Sequence, residues 1–266
     1  MWSFEHEPDR SRLLQRYSLT SDTPSECAAK LASGDADIGL IPAASYNESL
    51  AVIPGCAIAS RDRVRSIILV VRHADGIAGV RKVALDTSSR TSATYTRILF
   101  ARFWKSNPEF LNHPPDLEAM LQVADAALLI GDPALFALEN REAREHRTGE
   151  RLLYLDLAHE WHTFTGTVWV SAFWAVRPEA LTASATSSAE VVEDFQHSRD
   201  AGLRHLEDLA CEWSRRIALP RETIHTYLSQ NIWYLLDEPC LSGLELFYRY
   251  GVECGALSNA PSLRFL

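Results

Sequence analysis

Lys82-Val-Ala-Leu-Asp-Thr-Ser-Ser-Arg-Thr-Ser-Ala93 starts as an apolar, β-prone run and turns into a row of hydroxyls. Lys82 to Asp86 has the composition of a buried strand. From Ala93 to Trp104 the apolar residues Tyr95, Ile98, Leu99 and Phe103 recur at helical spacing. The junction is therefore a strand-to-helix turn. Unpaired N–H groups and the positive end of the helix dipole gather at such a start, where Ser89, Thr91 and Ser92 add hydroxyls and Arg90 a charge. Ordinary capping accounts for Ser and Thr here; a seat for a carboxylate or phosphate is the functional alternative.

Working outward, the alternation repeats. A helix from Leu117 to Val123, a strand from Ala126 to Ile130, a helix from Pro133 and a strand from Leu152 to Leu157 predict an α/β protein with a mainly parallel sheet. Asn107-Pro108 and Pro114-Pro115 mark the loop before this series. Toward the N-terminus, Thr23 to Ser33 reads as a helix capped by Ser21 or Asp22 and closed by Gly34. Asp37-Ile-Gly-Leu-Ile-Pro42 is of buried-strand type, and Ala43 to Glu48 starts a further helix. After the strand Ser66–Arg72, the Asp75-Gly76 and Gly79 breaks suit an exit from one lobe to another. The extended run Val168–Val176 carries the chain back. The expected division is residues 1–76 with 177–266 as lobe 1, and 77–176 as lobe 2. The Ala/Ser/Thr-rich piece Leu181–Ser188 reads as a surface loop. Beyond it Ala189, Val192, Phe195, Leu203, Leu206, Ala210 and Trp213 form a helical stripe expected to pack in the core. Ile224–Leu235 and Leu241–Gly255 complete the helices.

A second strand-to-helix turn, Leu128-Leu-Ile-Gly-Asp-Pro-Ala134, offers Gly131 for close backbone approach and Asp132 as a cap. Ligands of open α/β sheets sit beyond the carboxyl ends of strands, where both turns belong. In His159-Glu-Trp-His-Thr-Phe-Thr-Gly166 the histidines are three apart, unlike the zinc helix, so Trp161 and Thr165 are read as pocket wall and no metal is expected. G-x-S-x-G, P-loop and G-x-G-x-x-G motifs do not occur in the sequence, and no organic cofactor is indicated. With 26 Lys+Arg against 35 Asp+Glu the formal charge is -9, which disfavours nucleic acid and anionic lipid as partners. The five scattered cysteines suit reduced thiols, and the acidic start Met1-Trp-Ser-Phe-Glu5 does not suit a signal peptide. These features lead to the expectation of a cytoplasmic protein, and the two turns to that of a small-molecule ligand.

Taken in order, Ala36-Asp-Ile-Gly-Leu-Ile-Pro-Ala-Ala-Ser-Tyr46, Ser89-Arg-Thr-Ser92, Ala127-Leu-Leu-Ile-Gly-Asp-Pro-Ala-Leu135, Asp156-Leu-Ala-His-Glu-Trp161 with Thr165-Gly166, and Gly243-Leu-Glu-Leu-Phe247 resemble the chorismate dehydratase family of the futalosine route to menaquinone. That resemblance implies a two-lobed fold of the type II periplasmic-binding-protein kind with a cleft between lobes. It also implies loss of water from chorismate to give 3-[(1-carboxyvinyl)oxy]benzoate, without a cofactor. It assigns Ser89, Arg90, Thr91 and Ser92 to substrate carboxylate binding, Gly131 and Asp132 to the second wall, and proton relay to Asp132. The family's opening strand and turn, roughly Tyr/Phe-Leu-Asn-Thr-x-Pro-Leu, has no counterpart here, so the expectation is a true start upstream of Met1. Thr167-Val-Trp-Val170 stands where the family commonly has Leu-Pro-Phe-Val. Alternative readings are the related naphthoate synthase, a non-catalytic carboxylate-binding module, and an inactive fragment.

Overall fold

The computed structural model describes residues 1–72, 75–184 and 186–266. In chain order it begins with α1 (Trp2–Glu5), α2 (Arg10–Leu13), α3 (Pro24–Ser33), β1 (Ile38–Pro42), β2 (Ala51–Ser60), β3 (Ile67–Val71) and β4 (Lys82–Asp86). Next come α4 (Arg90–Ile98), β5 (Glu109–His113), α5 (Leu117–Val123), β6 (Ala126–Ile130), α6 (Gly131–Glu139), α7 (Arg141–Thr148), β7 (Leu153–Asp156), α8 (Leu157–Thr165) and β8 (Trp169–Val176). The rest is mostly helical: α9 (Pro178–Ser184), α10 (Ser188–Arg204), α11 (Leu206–Ile217), α12 (Arg221–Thr226) and α13 (Glu238–Glu253).

The chain forms two compact units: Met1–Ala59 with Val170–Glu238 and Pro261–Leu266, and Ser60–Trp169 with Pro239–Ala260. This division departs from the expected one in two places. Residues 60–76 go with the second unit because β3 is an inner strand of its sheet, paired to β6 and β7. Residues 239–260 join it because α13 packs on that unit's aromatic core, where Tyr95 lies 3.7 Å from Trp169 and 4.2 Å from Phe247.

In the first unit a three-stranded sheet runs β1-β8-β2, with β1 antiparallel to β8. Its core gathers Phe4, Leu13, Ile53, Val176, Val191 and Phe195. The residues preceding α3 are fixed in this unit by bonds to the buried Asp194. The Asp194 carboxylate accepts from Arg12 Nη1 at 3.3 Å, from the Tyr17 hydroxyl at 3.0 Å and from Arg16. Helix α3 is capped by Thr23, in a reciprocal box with Glu26, and not by Ser21 or Asp22. Ala43–Ser45 makes one 3-10 turn and Tyr46 is extended, so no helix follows β1. The expected loop Leu181–Ser188 begins inside α9; Ala185 within it lies outside the described residues. On α10 the buried face is Val191, Asp194, Phe195, Ser198 and Ala201, whereas Leu203 and Trp213 of the expected stripe are exposed. The periodicity was right and its phase was shifted, because the stripe counted Ala189 and Val192 in place of Val191.

The second unit holds a five-stranded sheet in the order β5-β4-β6-β3-β7. β4 is parallel to β5 and β6, but β3 is antiparallel to β6 and β7, so the sheet is mixed and not mainly parallel. β5 and β2 were both hidden from the sequence by prolines: Pro108 and Pro114 bracket β5 at the sheet edge, and Pro54 lies inside β2. The strand directions put the carboxyl ends of β4, β5, β6 and β7 on one edge, together with the amino end of β3. Helices α4, α6 and α8 all start from that edge.

Candidate functional site

The shared edge of the second sheet brings the two predicted turns together. Ser89 is the N-cap of α4, and its Oγ accepts from the Ser92 N–H at 3.2 Å. Thr91 and Ser92 are buried in the first turn, and the Arg90 side chain is exposed. The next strand over, β6, ends at Ile130, and Gly131 follows with φ +60°, a conformation that strains any side chain. Its N–H donates to the Ser66 carbonyl at 2.7 Å, and a Cβ added there would meet nothing within 4 Å. Asp132 does not cap α6. The N-cap is Ile130, without a side-chain hydrogen bond, and Asp132 sits exposed in the first turn.

Asp86, the last residue of β4, joins the two turns. It is 2% exposed. Its Oδ1 accepts from the Ser88 N–H at 2.9 Å and the Ser88 hydroxyl at 2.6 Å, and its Oδ2 accepts from the Ile130 N–H at 3.3 Å. The sequence placed Asp86 in the motif but gave no sign of the bond to Ile130, since strand order is not written in one segment.

Trp161 and Thr165 form a structural knot on α8. Trp161 is fully buried, edge-on to Tyr95 at 4.8 Å, and its Nε1 donates to Thr167 Oγ1 at 2.9 Å. Thr165 Oγ1 donates to the Trp161 carbonyl at 2.7 Å and accepts from the Thr167 N–H at 3.1 Å. Both side chains shape α8 and its exit, so Trp161 is core and not an exposed wall. His159 faces Asp62 at 2.5 Å. Among the described residues no group of three or more His, Cys, Asp and Glu is arranged to hold a metal ion.

Two carboxylates on this part of the chain are shifted. Asp156 caps α8 and accepts from the N–H groups of Val64, Arg65, Ala158 and His159; burial nonetheless holds its carboxyl above the usual range. Burial also raises Glu160, partly offset by His159 and the Trp104 indole. A carboxyl raised on folding costs stability above its folded value, and the cost fades as pH falls toward its unfolded value of about 4.3. Glu160→Gln is therefore expected to raise the melting temperature at pH 7 and to lose that advantage near pH 4. An equal offset at both pH values, read by thermal unfolding, would show that desolvation is not the cause.

The buried Oγ atoms of Ser45, in the first unit, and Ser60, in the second, have no hydrogen-bond partner. An orphaned hydroxyl costs free energy that an apolar substitute recovers. Ser60→Ala is expected to gain about 1 kcal/mol in urea unfolding; a loss of that size would mean the hydroxyl is bonded in solution. A cavity of about 460 Å³ in the second unit is lined by Arg63, Arg65, Arg141, Glu139, Glu142 and Asp156 among others, a balanced set that selects neither sign of charge.

Two α/β units with strand-edge helix starts define a protein of the periplasmic-binding-protein-like fold class, and solved structures of that fold agree. Protein AF1704 from Archaeoglobus fulgidus matches with a TM-score of 0.68 at 16% identity, covering 96% of this chain and 94% of its own. The periplasmic aliphatic sulphonate binding protein SsuA from Escherichia coli matches at 0.60 and 15%, covering 98% and 90%. A Candida albicans gene product with the generic periplasmic binding protein fold matches at 0.57 and 11%, covering 90% and 80%. The sequence signature of a family described as menaquinone biosynthesis matches residues 3–253. The chain belongs to this menaquinone-biosynthesis family. No helix among the described residues is long and apolar enough to cross a membrane.

Proposed function

We propose that this protein is a cytoplasmic chorismate dehydratase, a hydro-lyase that removes water from chorismate to give 3-[(1-carboxyvinyl)oxy]benzoate. The observation that carries the reading is the meeting of the Ser89–Ser92 and Ile130–Asp132 turns at one sheet edge, tied by Asp86. Membership of a menaquinone-biosynthesis family supports it.

The chemistry asks little of a protein. The ring proton lost lies beside the enolpyruvyl ether and is vinylogous to the ring carboxylate, and aromatisation drives expulsion of the neighbouring hydroxyl. No strong base is needed if the substrate is held in a reactive pose. Hydroxyls and helix-start N–H groups stabilise the negative charge that builds on the carboxylate. In this reading Ser89, Thr91 and Ser92 bind that carboxylate, Arg90 adds long-range attraction, and Gly131 lets a backbone wall approach the ring. Asp132, exposed in the first turn of α6, is the proton relay. Trp161 and Thr165 hold α8 behind the site.

The test is incubation with chorismate followed by chromatography with mass detection. A product lighter by one water supports the dehydratase. Unreacted chorismate that nonetheless raises the melting temperature would make the protein a carboxylate-binding module, much as its fold relative SsuA is a sulphonate binding protein. Neither reaction nor stabilisation would direct attention to the larger substrate of the naphthoate synthase.

A further inference from the structure

A carboxylate as buried as Asp86 is expensive unless its oxygens are occupied. Among the described residues its partners are three donors drawn from two turns, and no Lys or Arg pairs with it. Oδ1 closes the turn that leads into α4, while Oδ2 reaches across to the residue before Gly131, where α6 begins. The second turn is held from its other side by the Gly131 N–H on Ser66. One side chain thus sets the distance between two helix starts. Only a group with two acceptors can do so: asparagine would aim an NH₂ at one of the N–H donors, and serine is too short to span both.

We propose that Asp86 is a positioning residue of the active site, fixing the start of α4 relative to the start of α6 and through them the pose of the substrate. This rests on the dehydratase reading for its kinetic consequence, but the coupling of the two turns is a property of the protein alone. The two parts are therefore tested separately.

Hydrogen exchange with mass detection on the full chain reads the coupling. In Asp86→Asn, peptides covering 86–92 and 130–136 should both exchange at least tenfold faster; in Ser88→Ala only the first should. Unchanged exchange at 130–136 in Asp86→Asn overturns the coupling. Kinetics with chorismate read the role. Asp86→Asn should lower kcat about 100-fold, the penalty of a misplaced reactant, and raise KM about tenfold. A merely structural loss would scale kcat with the folded fraction and leave KM unchanged, and that result overturns the positioning role. If Asp86→Asn does not fold, Ser88→Ala, which removes one donor of the three and loosens only the first turn, decides by a smaller rise in KM, and an unchanged KM overturns the positioning role. An inactive wild type would defeat the dehydratase reading, and the exchange result would still decide the coupling.

Discussion

Replacing Gly243 by alanine is expected to lower stability by about 3 kcal/mol, a drop of roughly 10 °C in melting temperature for a chain of this size. Gly243 lies in α13 against the backbone just before β8. A Cβ there would meet the Val168 carbonyl carbon at 3.2 Å and its oxygen closer still. Neither partner can yield, because one belongs to a helix and the other leads into a strand. The helix must move away, and Leu244 and Phe247, both fully buried, move with it. The contact of Phe247 with Tyr95 is then lost from the core of the second unit. Gly39 supplies the control. Its added Cβ would meet the Cys27 Sγ at 2.6 Å, a side-chain atom, so the strain of Gly39→Ala should be relieved by Cys27→Ala in the same chain. No second-site truncation should rescue Gly243→Ala. Thermal and urea unfolding of the variants decide, and a Gly243→Ala protein as stable as wild type would refute the close approach.

The second large effect is on turnover. Ser89→Ala/Ser92→Ala is expected to reduce kcat/KM for chorismate by about 1000-fold, since single donors to a developing oxyanion are worth about 100- to 1000-fold. Stability should fall by only about 1 kcal/mol, the usual cost of an N-cap, because the backbone N–H groups of α4 remain. In the proposed reading the exposed Arg90 acts through its field and not by contact, so Arg90→Ala should change KM less than tenfold and lose that effect at high salt. Wild-type turnover by the double variant would remove the α4 start from the reaction and end the assignment of carboxylate binding to it.

Much of the second unit was legible in the sequence, for physical reasons. β4, α5 and β6 fall on the predicted residues because each is a short run with one period and a clear stop. Strand direction was not legible: alternation of strands and helices suggested parallel pairing, but β3 enters from the other unit and runs the opposite way. Of the candidate site, the hydroxyl turn and Gly131 were legible from composition as strand-to-helix turns. Asp132 was misplaced as a cap, because an acid near a helix start satisfies the capping rule whether or not its oxygen reaches an N–H. Trp161 was read as pocket wall although its ring is core, a distinction that depends on Tyr95 and Thr167, neither near it in the usual helical pattern. Asp86 had the right address and no visible role, since its partner Ile130 is brought near only by the pairing of β4 with β6.

The assignment of residues 239–260 to the second unit has a consequence for how the protein is made. Tyr95 and Trp169 leave the ribosome early, while Phe247, which completes their stack, arrives only with α13 near the end of synthesis. Contacts so far apart in sequence close late and slowly. The nascent chain must therefore carry the Tyr95–Trp169 stack without its Phe247 cover until the last stretch is out, a window in which a chaperone, or a stop codon a few dozen residues early, determines whether it folds or aggregates.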